Sequence, residues 1–145
     1  MIGLLQRVTQ TSVTVDGVVV GMIERGLLVF VGVQPQDSAG DAERLLERLL
    51  GYRVFPDPTG RMNLSLRDIA GGLLLVPQFT LAADTTKGTR ASFTSAAPPT
   101  LGATRFAELV AHAKQRHRTV ASGAFGVDMQ VALVNDGPVT FWLET

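Results

Sequence analysis

The first third of the chain alternates between apolar and polar positions in a way that predicts a β-meander. Residues 13–15 alternate, and residues 18–20 form the returning strand. Asp16 and Gly17 stand between them as a strong signal for a two-residue hairpin turn. Residues 27–33, by contrast, are almost continuously apolar, which is typical of a strand that is covered on both faces.

The apolar period changes to that of a helix at two places. The first predicted helix begins near Ser38, which has capping-box spacing to Asp41, and ends near Gly51. The second spans roughly residues 101–117. The apolar residues that recur at helical spacing are Ala42, Leu45, Leu46 and Leu49 in the first helix and Phe106, Leu109, Val110 and Ala113 in the second. We therefore expect two main helices, each with one buried face.

Three further strands complete the pattern. Residues 73–81 form one candidate, although Pro77 cannot donate a ladder hydrogen bond and should lie at an edge, a bulge or a strand end. Two more are predicted at about residues 128–134 and 139–144, with turn residues between them. Together the elements predict an α+β protein in which one main sheet packs with two main helices, and residues 1–145 form a single domain.

Composition narrows the possible classes of function. Thirteen basic and thirteen acidic residues give a formal net charge of zero, which is not typical of a non-specific nucleic-acid binder. The absence of cysteine excludes disulfides, thiolate nucleophiles and cysteine metal sites. The N-terminus lacks the pattern of a secretory signal, and no apolar stretch approaches the ~20 residues needed to cross a bilayer. We expect a soluble, cytoplasmic protein that does not bind a membrane.

The usual catalytic and metal-binding patterns are missing. His112 and His117 are five residues apart on one predicted helix and therefore about 140° apart around it, so they cannot share a metal. We expect both to be exposed helix residues. The chain also lacks a Gly-x-Ser-x-Gly elbow and the glycine-rich loops that bind phosphates. The sequence therefore predicts neither a metal site nor a cofactor.

A polar cluster at the end of the strand that begins at Leu73 is the remaining candidate for chemistry. It consists of Gln78, Phe79 and Thr80 and is followed by a long polar segment, residues 82–100. Segments of this length tend to be functional or disordered. Each residue also has an ordinary explanation: Gln78 as an exposed strand position, Phe79 as a core residue and Thr80 as a β-branched strand residue. A threonine without a neighbouring base is a poor nucleophile.

Basic residues offer candidate contacts to phosphates. Lys87 and Arg90 lie in the long polar segment, and Arg105, His112 and Arg116 fall on one face of the second helix. A solvated surface is the default explanation for the helix face, where Glu108 is interspersed among the basic residues.

Gly137 and Pro138 follow Asn135 and Asp136 where the last strand should start. Asn-Asp-Gly favours a turn, and a proline after it permits a cis peptide bond at a cost of about 0.5–1 kcal/mol. A cis bond would direct the flanking carbonyl groups differently from an ordinary turn. On local grounds an ordinary trans bond at the start of an edge strand is favoured, since only about 5–6% of X–Pro bonds in folded proteins are cis.

Residues 78–81 (Gln-Phe-Thr-Leu) and 135–140 (Asn-Asp-Gly-Pro-Val-Thr), in that order, resemble the two signature motifs of the D-aminoacyl-tRNA deacylases. Other segments are similar to the same family, namely residues 6–9, 50–53, 62–64, 81–84 and 128–131. The resemblance covers essentially the whole chain without large insertions. It implies the fold of that family, in which a β-meander and a mixed, strongly curved sheet pack with two main helices.

The resemblance also implies an activity. Such enzymes are homodimers that hydrolyse the ester between a D-amino acid and the 3′-terminal adenosine of tRNA, as a chiral proofreading step in translation. The Gly137–Pro138 bond would be cis and would reach into the other subunit's pocket, where its carbonyls bind the substrate amino group. An L side chain would collide there, whereas a D side chain or glycine would fit. Asn135 and Arg7 would be further substrate-binding residues, and Arg7 would hold the cis form.

The other motif would build the adenosine pocket and the hydrolytic site. Gln78 and Phe79 would present backbone groups, and Thr80 is the candidate catalytic side chain. The family also suggests a second route, in which the ribose 2′-OH of the tRNA helps to activate water. The sequence favours this route, because no base is visible that could activate Thr80.

Two positions depart from the family pattern. Pro77 stands where the first motif usually begins with Ser, so any role for that hydroxyl or backbone N–H is lost. Ala91 stands where the loop usually has Pro, which frees its φ angle. Neither departure changes Gly137 or Pro138.

Two alternatives remain open at this point. One keeps the fold but clears a mischarged L-aminoacyl-tRNA through a trans Gly-Pro bond. The other is a non-catalytic module for tRNA binding or dimerisation, which the lack of a conventional catalytic set would explain. Arg7 and the complete motif of residues 135–140 favour the D-specific deacylase.

Overall fold

The computed structural model describes residues 1–145, which form one mixed six-stranded sheet, a two-stranded ribbon and three helices. The strands of the sheet are β1 (Ile2–Val15), β2 (Val18–Ile23), β3 (Gly26–Gly32), β6 (Gly72–Pro77), β7 (Val120–Ser122) and β8 (Gln130–Glu144). The ribbon consists of β4 (Phe55–Pro56) and β5 (Met62–Leu64), and the helices are α1 (Ala39–Gly51), α2 (Leu66–Ile69) and α3 (Pro99–Arg116). A 3-10 turn (Phe79–Ala82) follows β6.

The predicted hairpin joins β1 to β2. Asp16 and Gly17 both have positive φ angles, 47° and 78°, which match the turn whose twist suits a two-residue hairpin. Val15 accordingly lies opposite Val18. Strand β3 then runs antiparallel to β1, so the first three strands form the predicted β-meander.

Strand β1 organises the sheet because it is paired along both edges. On one side it pairs with β3 over residues 2–8 and with β2 over residues 11–15, and on the other side it pairs with β8. Strands β3, β6 and β7 continue the sheet in parallel. Strand β2 also contacts β6 and β7, which makes the sheet nearly barrel-like. The prediction of a mixed, strongly curved sheet is confirmed.

Helices α1 and α3 pack against each other and bury the predicted apolar faces against the sheet. Of the predicted stripe residues only Val110 is half-buried, and the others are buried. The first turn of α1 is held as predicted, because the Asp41 carboxylate accepts from the main-chain N–H of Ser38 at 2.8 Å and from its hydroxyl at 2.6 Å. None of the three helices has the length and apolar character that crossing a membrane requires.

The predicted bounds of the strands after residue 72 are wrong in two places. The strand predicted over residues 73–81 ends at Pro77, because proline cannot continue the ladder and the chain turns into the 3-10 turn. The strands predicted at 128–134 and 139–144 are one continuous strand, β8. Its residues 135–140 do not form a hairpin, since β1 offers pairing partners on both sides of them.

Candidate active site

Strand β8 bulges away from β1 around the glycine and proline. Its pairing with β1 runs up to Asn135 and resumes at Thr140, so the four residues 136–139 face the single residue Arg7. We call residues 136–139 the Gly-Pro bulge. The Gly137–Pro138 bond is cis, as the resemblance implies, and both residues are exposed. The bulge therefore presents main chain to the solvent.

Arg7 braces the Gly-Pro bulge from below. Its Nε donates to the Asp136 carbonyl oxygen at 2.9 Å and lies 3.4 Å from the Asp136 carboxylate. Its Nη1 donates to the Val54 carbonyl oxygen at 2.6 Å, which ties the bulge to the chain after α1. The Arg7 side chain is only 12% exposed, so its guanidinium donates hydrogen bonds to these carbonyls rather than to water.

The side chain of Asn135 is also engaged within the bulge. Its Oδ1 accepts from the Val139 N–H at 3.0 Å, and its Nδ2 donates to the Thr140 hydroxyl oxygen at 2.9 Å. Gln6 donates to the same hydroxyl oxygen at 3.2 Å. Asn135 therefore closes the base of the bulge. Thr140 and Gln6 lie in segments that resemble the family, but the sequence indicated no role for them, and it did not single out Val54.

Residues 78–80, the other motif segment, leave β6 through a sharp change of direction. The Gln78 N–H donates to the Val31 carbonyl oxygen at 2.7 Å, and the Leu81 N–H donates back to the Gln78 carbonyl oxygen at 3.2 Å. The N–H groups of Phe79 and Thr80 open the 3-10 turn and therefore have no acceptor within it. The segment therefore offers two adjacent main-chain donors.

Thr80 has no basic partner. Its hydroxyl oxygen accepts a hydrogen bond from Gln78 Nε2 at 2.5 Å, and the side chain is exposed. A carboxamide does not remove a proton from a hydroxyl at neutral pH, so this contact orients the threonine without making it a nucleophile.

Phe79 is not a core residue, although a core position was the ordinary explanation for a phenylalanine at this point of the sequence. Its side chain is 55% exposed and its ring lies 5.2 Å from the ring of Phe93, tilted by 54°. Two cavities of about 240 and 510 Å³ adjoin it, and the smaller one is mostly apolar. The residues that line both cavities are Pro77, Phe79, Phe125 and Gly126. A flat apolar group could therefore be accommodated beside Phe79.

The two motif segments do not come together within one chain. Arg7, opposite the Gly-Pro bulge, is in register with Leu27 of β3, which is in register with Leu73 of β6. The bulge thus lies three strand spacings from β6, about 14 Å across the sheet. Pro77, which precedes Gln78, is four residues further along β6 than Leu73, about 13 Å along the strand.

A protein-family profile described as D-Tyr-tRNA(Tyr) deacylase matches residues 4–144, nearly the whole chain. The chain belongs to this family. The predicted family and the prediction of a D-aminoacyl-tRNA deacylase enzyme are therefore confirmed.

Relatives named D-aminoacyl-tRNA deacylase are similar to this family member from end to end. The protein of Alkalilimnicola ehrlichii is 63% identical over 144 residues, which cover 99% of this chain and 96% of that protein. The protein of Pseudomonas fluorescens is 62% identical over 145 residues, which cover 100% of both chains.

Two solved structures support the fold. One, described as "c-Myc DNA Unwinding Element Binding Protein", has a TM-score of 0.95 at 34% identity and covers 100% of this chain and 99% of that chain. Another, described as "Structural Analysis of a probable eukaryotic D-amino acid tRNA deacylase", has a TM-score of 0.79 at 23% identity and covers 99% and 98%. The predicted D-aminoacyl-tRNA deacylase-like fold is confirmed.

In this member of the D-Tyr-tRNA(Tyr) deacylase family, the segment after the 3-10 turn folds back on itself. The main chains of Asp84 and Ser92 exchange two hydrogen bonds of 2.8 and 2.9 Å. Ser95 donates from its hydroxyl to the Ala82 carbonyl oxygen at 2.5 Å. The N–H and hydroxyl of Thr86 donate to the Asp84 carboxylate and hold the pKa of that carboxyl below its usual value. We call residues 84–92 the 84–92 loop.

The two histidines of this deacylase-family chain have structural partners, so the prediction that both are exposed helix residues is wrong. His112 Nδ1 lies 3.4 Å from a Glu43 carboxylate oxygen, between α3 and α1. His117 follows the end of α3, and its Nε2 lies 2.6 Å from the Gly71 carbonyl oxygen. Both side chains are half-buried. The sequence did not indicate this, because the partners come from distant parts of the chain.

Proposed function

We propose that this protein hydrolyses the ester of D-aminoacyl-tRNA and rejects L-aminoacyl-tRNA through the main chain of Gly137 and Pro138. Family membership supports the hydrolysis. The single observation that carries the selection is the Gly-Pro bulge, an exposed main-chain segment that Arg7 and Asn135 hold from within.

The selection is steric in this proposal. Carbonyl groups of the bulge accept hydrogen bonds from the substrate amino group and fix it on one side of the α-carbon. The side chain of a D-amino acid then points away from the bulge, whereas an L side chain collides with backbone atoms that cannot change rotamer. Glycine has no side chain to collide, so glycyl-tRNA is expected to be hydrolysed as well.

Hydrolysis takes place at residues 78–80. The terminal adenosine lies in the cavities beside Phe79, and the free N–H groups of Phe79 and Thr80 stabilise the negative charge that develops on the ester carbonyl oxygen. Water attacks the carbonyl carbon, the bond to the ribose oxygen breaks, and that oxygen leaves as the 3′-hydroxyl. The neighbouring 2′-OH of the tRNA activates the water, since Thr80 has no base.

The active unit is a homodimer in which the Gly-Pro bulge of one subunit serves the pocket of the other. Separation of the two motif segments by about 14 Å across the sheet supports an arrangement in trans. The outer edge of β8 has no strand partner, and four large apolar residues of the strand are exposed. These residues are Leu133 and Val134 before the bulge and Phe141 and Trp142 after it. Pairing through β8 would cover them.

The partners follow from the reaction. The substrate is aminoacyl-tRNA, bound by its 3′-terminal adenosine, and the second partner is another copy of the chain. Water and the tRNA hydroxyl are the only further reactants, so we assign the reaction no metal, no cofactor and no membrane. The cytoplasm, where aminoacyl-tRNA is made and used, is the proposed location, and translation quality control is the proposed process.

The deciding experiment incubates the protein with D-tyrosyl-tRNA, L-tyrosyl-tRNA and glycyl-tRNA and follows the loss of each ester. We expect loss of the D-tyrosyl and glycyl esters and persistence of the L-tyrosyl ester beyond its spontaneous decay. Equal rates on the D and L esters would contradict selection by the bulge. Ester loss from none of the three substrates would contradict the enzyme and favour a tRNA-binding module.

A further inference from the structure

The tip of the 84–92 loop carries two basic side chains without an ion-pair partner. Lys87 and Arg90 are exposed, and neither takes part in any salt bridge of the chain. The one acid of the loop, Asp84, lies at its base, where its charged carboxylate accepts from Thr86 and forms no salt bridge with Lys87 or Arg90. Five arginines elsewhere pair with carboxylates, namely Arg7, Arg44, Arg67, Arg105 and Arg116. The tip therefore presents two positive charges that no carboxylate pairs with, and the loop as a whole keeps an excess of positive charge.

The loop is attached to the segment that contains residues 78–80, so the two charges are held near it. Hydrogen bonds between Asp84 and Ser92 close the base of the loop. Immediately after this base, the ring of Phe93 packs at 5.2 Å against the ring of Phe79. Arg90 precedes Phe93 by three residues, which corresponds to no more than about 11 Å of main chain.

The surroundings of Phe79 are asymmetric in charge. The cavity of about 510 Å³ is lined by Asp128 and by no basic residue. The 84–92 loop, which Phe93 directly follows, carries Lys87 and Arg90 instead. A polyanionic strand that ends beside Phe79 is attracted by the loop and repelled by Asp128, so it should leave over the 84–92 loop.

We propose that Lys87 and Arg90 bind the backbone phosphates that precede the terminal adenosine of the tRNA and hold the single-stranded 3′ end on the 84–92 loop. The inference rests on the proposed function, because it takes that adenosine to lie beside Phe79. Phosphate contacts position a nucleic acid without reading its bases, so the loop serves tRNAs of different sequence. They also supply substrate affinity that a chain of zero formal net charge does not provide through its overall field.

The test compares two substrates that share the reacting ester. D-tyrosyl-tRNA contains the phosphates, and D-tyrosyl-adenosine contains none. The test variant, Lys87→Gln with Arg90→Gln, removes both charges, and Lys87→Arg with Arg90→Lys keeps them. Lys114→Gln is the control, because it removes an exposed cation far from the pocket. Lys114 lies near the end of α3, twelve residues and about 18 Å along the helix from Gly102, which lines the apolar cavity. Thermal unfolding of each variant reports whether the fold is kept.

We expect the double glutamine variant to lose about tenfold in kcat/KM on D-tyrosyl-tRNA at about 50 mM salt. A plot of log kcat/KM against log salt concentration should become shallower by about 1.4, since each phosphate contact to a single strand contributes about 0.7. Activity on D-tyrosyl-adenosine should stay equal to that of the unchanged protein. The charge-retaining variant and Lys114→Gln should behave like the unchanged protein on both substrates.

The outcomes separate this inference from the proposed function. If the unchanged protein hydrolyses both substrates and the double glutamine variant matches it on D-tyrosyl-tRNA, the loop does not bind phosphates and only the inference is overturned. Equal losses on both substrates would overturn it too, because they would show that the loop supports the pocket instead. If the unchanged protein hydrolyses neither substrate, the proposed function fails and the inference fails with it.

Discussion

Arg7 occupies the space into which any side chain at position 137 would project. A Cβ atom built on Gly137 would lie 2.9 Å from Arg7 Nη2 and 2.8 Å from a Val139 methyl group. The same Arg7 side chain donates to the Asp136 carbonyl of the bulge and to the Val54 carbonyl after α1. The position of the bulge is therefore set by an arginine that fits only against glycine.

Substitution of Gly137→Ala should displace the bulge. The new methyl group would overlap with Arg7, and the φ angle of +134° is one that L side chains rarely adopt. We expect the unfolding free energy to fall by about 1–3 kcal/mol and kcat/KM on D-tyrosyl-tRNA by at least about tenfold. Gly17→Ala is the matched control, because its φ is also positive at +78° but its Cβ would meet nothing within 4 Å. Only stability should change there.

Arg7→Lys should preserve the charge and lose the brace. A lysine carries its donors on a single nitrogen and cannot reach the carbonyls of Asp136 and Val54 together. We expect a loss of about 1–2 kcal/mol in unfolding free energy and a smaller ratio of D-ester to L-ester hydrolysis. Arg61→Lys, at an exposed position in the loop before β5, should change neither quantity. An unaltered ratio in Arg7→Lys would show that the brace does not set selectivity.

Thr80→Ala should leave most of the activity. The hydroxyl has Gln78 as its only hydrogen-bonding side-chain partner, and the proposed reaction uses the main-chain N–H groups and the tRNA hydroxyl. We expect the single-turnover rate on D-tyrosyl-tRNA to stay within about threefold of the unchanged protein. Near-complete loss of turnover, with an intact thermal unfolding transition, would identify the side chain as catalytic.

Two impaired variants should restore activity when their subunits are exchanged. Gly137→Ala damages the bulge, and Phe79→Pro deletes a free N–H at the first position of the 3-10 turn, where proline is tolerated. In trans, each mixed dimer contains one pocket with both intact parts, so random pairing should recover about a quarter of the sites. Each variant on its own is the control. Failure to recover any activity would argue for a site within one subunit.

Asp41 should make α1 sensitive to acid. Hydrogen bonds from Ser38 lower the pKa of this carboxyl from 3.8 to about 2. Because the folded-state pKa is depressed, the stabilisation is complete above about pH 4 and is lost as the pH falls through about 2. Asp41→Asn should therefore lower the unfolding free energy at neutral pH, and its difference from the unchanged protein should shrink toward pH 2. A difference that is constant with pH would contradict the assignment.

The sequence was sufficient to predict the elements that depend on neighbouring residues, namely the first hairpin, the start of α1 and the apolar faces of the helices. The hairpin at Asp16 and Gly17 depends on two positive φ angles, and the first turn of α1 depends on Ser38 and Asp41. The helix faces follow from apolar periodicity. These features need few distant partners, so the sequence contains what decides them.

Other features depend on residues that are far away in the sequence. Turn residues look alike in a hairpin and in a bulge, and only the pairing of both flanks with β1 makes β8 continuous. The role of Gln6 arises from the same pairing, and that of Val54 from the hydrogen bond that Arg7 donates to its carbonyl oxygen. His117 is half-buried because the carbonyl of Gly71 lies beside it. For the candidate site, the motif residues were visible in the sequence, but the distance between the two segments required the strand register.

The unpaired edge of β8 has a consequence for a subunit on its own. A long edge strand with exposed apolar side chains can add any other extended chain as its next strand, which is how many aggregates begin. In the proposed dimer, a newly made chain therefore has two competing fates at this edge: ordered pairing with a second copy or disordered association with other unfolded chains. The yield of soluble protein on refolding should therefore be higher when folded chains are kept concentrated than when they are slowly diluted.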